Sequence, residues 1–303
     1  MLVAVEGLSK RFGRTVALDK VSFSIGGGAV GLLGPNGSGK TTLLRILLGL
    51  LPAKGTASVL GLDPMRRPRE VRARIGYVPE SECIVPGLSG VDVVAFLGRL
   101  AGMSKGAARK RAHEVTYFVG LNEERYREAS EYSQGMQQRL KLATALVHDP
   151  DVLFLDEPTN GLDPAGRIEM LDLIRELATE HGKHVVLSSH LLQDVERVCT
   201  EVLMLRSGRL LRHGTLAGLT SAGDGSYRVR VRGDEQRFVA EMRAAGGDAS
   251  GQEDLLVTLP AGASTDLVFR AARAALVQVR GLAPTRRTLE DVFLAEMEGD
   301  GAR

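Results

Sequence analysis

Ala29-Val30-Gly31-Leu32-Leu33 is a short apolar run that passes straight into Gly34-Pro35-Asn36-Gly37-Ser38-Gly39-Lys40-Thr41-Thr42 and then into the apolar stretch Thr41 to Leu51. The run reads as a buried strand, and residues from about Lys40 to Leu50 read as a helix. Strand, glycine loop, helix is an arrangement that binds phosphate. Its glycines let the backbone wrap tightly, so that successive N–H groups face phosphate oxygens. The helix N-terminus adds the positive end of its dipole. Lys40 supplies a mobile charge for β and γ phosphates, and Thr41 a hydroxyl for Mg²⁺. Residues Gly34, Pro35, Asn36, Gly37, Ser38, Gly39, Lys40, Thr41 and Thr42 are therefore candidate nucleotide-binding positions.

A second stretch answers the first. Val152-Leu153-Phe154-Leu155 carries a buried strand to Asp156-Glu157 at its carboxyl end, where ligands bind in open α/β sheets. Two adjacent acids repel unless one faces a cation. Asp156 is assigned to Mg²⁺ and Glu157 to the attacking water.

The remaining pattern fits an α/β fold. Short strands with turns are expected over Leu2–Glu6 and Val16–Ile25, and further strands over Val185–Ser188 and Val202–Leu205. Helices are expected over Ala165–Glu180 and Leu191–Thr200, and this alternation implies a buried, largely parallel sheet. Residues 81–150 read as a helical subdomain, with helices at Val91–Ala101, Lys105–Val119 and Gln134–Val147. Residues 217–226 have linker composition. Beyond them, 227–303 read as a small α+β domain: a strand at Tyr227–Arg232, a helix at Phe238–Ala245, a strand at Leu255–Leu259 and a helix at Asp266–Leu276.

Composition excludes several classes. The 303 residues suffice for one large domain and a smaller one. Lys+Arg 39 against Asp+Glu 37 leaves a formal charge of +2, so the chain is not built as a whole to coat nucleic acid, and no nucleic-acid partner is expected. Cys83 and Cys199 are far apart and form no CxxC pair, which gives neither a metal framework nor a disulfide lattice. No apolar run reaches the ~18 residues of a membrane span, and the N-terminus lacks a secretory pattern.

With Tyr132-Ser133-Gln134-Gly135-Met136-Gln137-Gln138-Arg139 added, residues 1–216 resemble the nucleotide-binding subunit of an ATP-binding-cassette (ABC) transporter. The family signature is LSGGQ; here Gln134 replaces its first Gly and Met136 its Gln, as in the drug-resistance-type exporter branch. The resemblance implies that Ser133 and Gly135 close over ATP held by the opposite subunit. It implies that Asn160-Gly161-Leu162-Asp163 is the D-loop, with Asp163 at the dimer interface. His190, in Ser188-Ser189-His190, matches the switch histidine at the γ-phosphate. Phe12 matches the aromatic that stacks on adenine. Glu80, in Ile75-Gly76-Tyr77-Val78-Pro79-Glu80, stands where most relatives carry the metal-associated Gln of the Q-loop. The apolar cluster Ile84, Val85, Pro86 and Leu88 follows it, in the region that receives a membrane subunit in the family; a buried loop explains that cluster equally well.

The tail Thr288-Leu289-Glu290-Asp291-Val292-Phe293-Leu294 resembles the ending of daunorubicin-resistance-type exporter ATPases, and it reads as a capped amphipathic helix. Arg228, Arg230 and Arg232 read as one solvated strand face. The resemblance implies an Mg²⁺-dependent ATPase subunit, paired as a homodimer, docked on separate transmembrane permease subunits at the cytoplasmic face of the membrane. Its catalytic residues would be Glu157, His190 and Lys40, and its metal residues Thr41, Glu80 and Asp156. An importer subunit and a soluble ABC switch protein remain alternatives. Against the soluble class stand a single phosphate loop and a Lys40-to-Asp156 spacing too short for an inserted coiled coil. A kinase or GTPase lacks the signature, and no NKxD guanine reader is present.

Overall fold

The computed structural model describes residues 1–81, 85–220, 226–251, 254–260, 262–284 and 288–293. Cys83, Ile84 and Leu294 lie outside these, as do residues 221–225 of the linker. The chain divides into two compact units, Met1–Leu216 and Ala217–Arg303.

The first unit runs β1 (Val3–Phe12), β2 (Thr15–Ile25), β3 (Ala29–Leu33), α1 (Lys40–Leu47), β4 (Lys54–Val59), α2 (Pro68–Ala73) and β5 (Ile75–Val78). It continues through α3 (Gly90–Leu100), α4 (Lys105–Phe118), α5 (Gln134–Leu146), β6 (Val152–Asp156), α6 (Pro164–Thr179), β7 (His184–Ser189), α7 (Leu192–Val198), β8 (Glu201–Arg206) and β9 (Arg209–Thr215). A short helix, α8 (Leu216–Leu219), follows. Six strands form one sheet in the order β5-β6-β7-β3-β8-β9. All pairs are parallel except β8–β9. Interior parallel strands are buried on both faces, which is why β3 and β6 are apolar runs rather than alternations. A second, antiparallel sheet has the order β2-β1-β4. Leu43, Leu44, Ile46 and Leu47 of α1 join the apolar cluster that both sheets share. The helix stops at Leu47, earlier than Leu50, with Gly49 and Pro52 following it. Helices α3, α4 and α5 pack on one another as the helical subdomain. Ser89, Ser104 and Ser133 begin them by accepting a backbone N–H in the first turn.

The second unit contains β10 (Ser226–Arg232), α9 (Glu235–Ala244), β11 (Asp248–Ser250), β12 (Leu255–Thr258), α10 (Asp266–Ala275) and β13 (Gln278–Pro284). Its antiparallel sheet has the order β11-β12-β10-β13, a ferredoxin-like βαββαβ arrangement. Val229 and Val231 are buried against Phe238, Met242 and Val268, while Arg228, Arg230 and Arg232 are exposed on the other face. Thr288 and Asp291 exchange backbone-to-side-chain hydrogen bonds, Asp291 N to Thr288 Oγ1 at 3.1 Å and Thr288 N to Asp291 Oδ2 at 2.8 Å. That reciprocal cap opens the helical turn over 289–293.

Candidate functional site

Sheet register brings the two sequence stretches together. Leu33 of β3 pairs with Ser189 of β7, and Asp156 of β6 pairs with Ser188 of β7. Gly34, Glu157 and His190 are thus the first residues beyond three adjacent parallel strands, at the carboxyl edge where such sheets bind ligands.

The glycine loop and α1 wall a cavity of about 400 Å³, lined by Thr15–Ala17, Asn36–Thr42, Glu80 and Glu157. Gly39 has φ +108°, and a Cβ there would lie 2.6 Å from the Ala17 carbonyl, so only glycine fits this turn into the helix. Lys40, the first residue of α1, is 6% exposed. Its Nζ donates to the Gly34 carbonyl at 2.6 Å and the Pro35 carbonyl at 3.3 Å. It also lies 3.2 Å from Glu157 Oε1. These are two neutral carbonyls and one carboxylate, partners that phosphate oxygens can replace.

Glu157 has a left-handed backbone, φ +52°, a costly conformation for a side chain of this kind. Its N–H donates to the Ser188 carbonyl, locking the bend to the neighbouring strand end. Its other carboxylate oxygen, Oε2, lies 2.9 Å from His190 Nδ1. An ionised carboxylate only accepts, so Nδ1 carries the proton and Nε2 is left for another partner. Asp156 is fully buried, and burial pushes its carboxyl above the usual range, with Glu80 and Glu157 adding to the rise. The Thr41 and Ser188 hydroxyls beside it offset part of that effect. Among the described residues neither closes a hydrogen bond of normal geometry, and both Asp156 oxygens, Ser38 Oγ and Ser188 Oγ have no partner there. A buried, unneutralised carboxylate next to a hydroxyl, with a second acid nearby, is a donor set that suits Mg²⁺, which takes one or two carboxylates plus phosphate oxygens. The residues present therefore fit a metal–nucleotide complex.

Of the expected residues, Asn36 to Thr42, Glu80 and Glu157 line the cavity. Gly34 and Pro35 join through their carbonyls to Lys40, His190 through its contact with Glu157, and Asp156 as the buried residue before Glu157. Phe12, Ser133, Gly135 and Asp163 do not line the cavity. Phe12 is 48% exposed at the end of β1, with Lys10 Nζ 5.0 Å above its ring. Ser133 caps α5, and Asp163 caps α6 by accepting the Gly166 N–H at 2.9 Å. Gln138 Nε2, one turn into α5, donates to the Asn160 carbonyl at 3.3 Å, and Gln134 approaches the same oxygen. A Cβ on Gly161 would fall 1.7 Å from the Gln134 amide nitrogen, so Gln134 and Gly161 fit as a pair.

Two residues escaped the sequence reading. Lys141 is buried and donates to the Glu80 carbonyl at 3.0 Å, holding that loop from α5. Asp194 is fully buried and accepts from Thr159, Ser189 and Arg167. Its only sequence signal is an acid on the inner side of α7, beside the buried Val195 and Val198.

Residues 18–160 match the family model described as ABC transporter. The chain is 38% identical to the daunorubicin/doxorubicin resistance ATP-binding protein DrrA of Streptomyces peucetius, over 79% of this chain and 73% of that one. It is 36% identical to the daunorubicin resistance ATP-binding protein DrrA3 of Streptomyces coeruleorubidus, over 99% of this chain and 97% of that one. Among solved structures it resembles the dimeric post-hydrolysis state of the ATP-binding cassette MJ0796 bound to ADP and Pi, with a TM-score of 0.65 and 27% identity, over 71% of this chain and 99% of that one. Cassettes of this fold form dimers. The cavity at the ends of β3, β6 and β7 and these likenesses lead to one conclusion: the chain belongs to the ABC transporter family as an ATP-binding protein, an ABC ATPase.

Proposed function

We propose that this chain is the ATPase subunit of an exporter, acting as a homodimer beneath separate membrane subunits. The observation that carries the ATPase chemistry is the meeting of Lys40 and Glu157 at one cavity, with His190 2.9 Å from the Glu157 carboxylate and the buried Asp156 directly before it in β6. Export is supported by the drug-resistance relative that aligns along both units of the chain. Among the described residues no helix is long and apolar enough to cross a membrane, so a transport role calls for a membrane partner.

Thr41 and Asp156, with Glu80 alongside, would hold Mg²⁺. Bound there, the ion neutralises charge on the phosphates and polarises them. Glu157 orients the attacking water in line with the γ-phosphate. His190 keeps Glu157 in place through Nδ1–H and offers Nε2 to the transferred phosphate. Lys40 exchanges its loop carbonyls for phosphate oxygens and spreads the developing charge. Ser133 is exposed at the start of α5 and does not line its own chain's cavity. Together with Gly135 and the exposed Asp163, it is assigned to the nucleotide held by the facing subunit. ATP bound between two chains favours the closed pair because only the closed state supplies both sets of contacts.

Phe12 is assigned to the adenine ring. Phe12→Ala is expected to weaken ATP binding by roughly 5- to 100-fold, since stacking on an aromatic contributes about 1–3 kcal/mol per base. Phe12→Tyr should bind as the unaltered chain does. Fluorescence titration with an ATP analogue checks both, and equal affinity for Phe12→Ala removes the assignment.

The export reading is tested in inside-out vesicles that contain the coexpressed membrane partner. ATP-driven accumulation of an amphipathic drug such as daunorubicin, abolished with the Glu157→Gln subunit, supports it. Uptake in the opposite sense, or full ATPase activity in a chain that never joins the vesicles, overturns it.

A further inference from the structure

We propose that Asp194 is a positioning residue for hydrolysis, tying the segment after Glu157 to the segment that carries His190. Oδ2 of Asp194 accepts from Thr159 Oγ1 at 2.7 Å and from Ser189 Oγ at 3.1 Å. Oδ1 accepts from Arg167 Nε at 2.5 Å, and this pairing neutralises the buried charge. Thr159 stands two residues beyond Glu157, in the turn closed by Asn160 N to the Glu157 carbonyl. Ser189 directly precedes His190, and its hydroxyl also accepts the Leu191 N–H at 3.0 Å. His190 is thus bracketed by two pinned neighbours, and the turn leaving Glu157 is pinned to the same oxygen. The 2.9 Å contact between His190 and Glu157 spans the two segments so joined.

Asp194, Thr159 and Ser189 are all buried, so water does not compete for these bonds. Stability alone does not call for the arrangement, because an apolar side chain of similar volume commonly replaces a buried ion pair without loss. A carboxylate oxygen is distinctive in gathering two hydroxyls from different segments onto one atom. The same turn leads on to Asp163 and α6, whose Arg167 closes the set. A shift of the D-loop therefore pulls on the strand end that carries His190.

The inference rests on the proposed roles of Glu157 and His190. Asp194→Ala would strand Arg167 and invite misfolding, so the test uses Thr159→Val, which keeps shape and deletes one hydroxyl. Its kcat is expected to fall roughly 10- to 100-fold, the scale of a small misplacement of reacting groups. KM for ATP should stay near that of the unaltered chain, the melting temperature should fall by no more than several degrees, as loss of one buried hydrogen bond implies, and Thr159→Ser should restore kcat. Ser189→Ala should lower kcat alike, and the double variant should be no slower than the slower single, since both act through one oxygen. Wild-type kcat in Thr159→Val and Ser189→Ala, a loss seen only in KM, or a Thr159→Ser as slow as Val overturns the proposal. Glu157→Gln is measured alongside. If it hydrolyses normally, the catalytic reading itself fails; if it is inactive while Thr159→Val is normal, only the role of Asp194 fails.

Discussion

Glu157→Gln is expected to lower phosphate release by roughly 10²- to 10⁴-fold, the range typical of a positioned acid–base group, without weakening ATP binding. The carboxylate has two partners in the free chain, Lys40 through Oε1 and His190 through Oε2. A neutral amide keeps the shape but no longer competes with phosphate for Lys40, so the nucleotide loses nothing on entry. It cannot take up a proton from the attacking water. Bound ATP should then persist, and dimers should accumulate. Gel filtration with and without ATP, beside a phosphate-release assay, reads both effects. A variant that keeps more than a tenth of the normal rate would remove Glu157 from the water-positioning role.

Lys40→Met is expected to lower ATP affinity by roughly 10²-fold or more, since each hydrogen bond to a charged group contributes about 1.5–3 kcal/mol and Lys40 can make several. It should also weaken the free chain. Glu157 is buried beside Lys40, with side-chain exposures of 7% and 6%. Breaking such a pair from one side costs about 3–5 kcal/mol, because a buried charge is left uncompensated. The contact from His190 to Glu157 Oε2 remains in the variant, so the lower end of the range is expected. Lys40→Met combined with Glu157→Gln should recover most of the thermal stability and none of the binding. Calorimetric unfolding and ATP titration separate the two effects. Unchanged stability in the single variant would mean that the pair contributes nothing to the free chain.

Much of this site was legible in the sequence, for a physical reason. A loop that wraps phosphate needs glycine at fixed places, and its lysine follows immediately, so local order encodes the geometry. The acids after Phe154-Leu155 were legible because a strand buried on both faces leaves an unbroken apolar run. Edge strands leave a weaker trace. β4, β9, β11 and β13 lie at sheet edges, where one side is unpaired and polar residues are tolerated. The edge strand β5 is apolar but only four residues long and interrupted by Gly76, whereas the edge strand β2 is legible because its eleven residues alternate. In β9, Arg-Leu-Leu-Arg-His-Gly-Thr carries neither a run nor a clean alternation. Long-range partners were hidden for a different reason. Thr159, Ser189 and Asp194 meet only after β6 and β7 pair, and nothing in an isolated Asp on a short helix announces two hydroxyls. Gln134 read as a departure from a glycine signature, yet its amide fills the space over Gly161 that a side chain there would need.

The outward-facing Ser133 has a kinetic consequence. Under the proposed pairing, a cavity receives its second half only from another copy, so a lone chain can hold nucleotide but cannot turn it over. Hydrolysis would then rise with roughly the square of subunit concentration at high dilution and become proportional to it once pairs are saturated. Any membrane partner that gathers two copies raises their local concentration and so acts as a switch without touching the reacting groups. Idle subunits released from such a partner would spend little ATP. That thrift follows from where α5 begins rather than from any inhibitory segment.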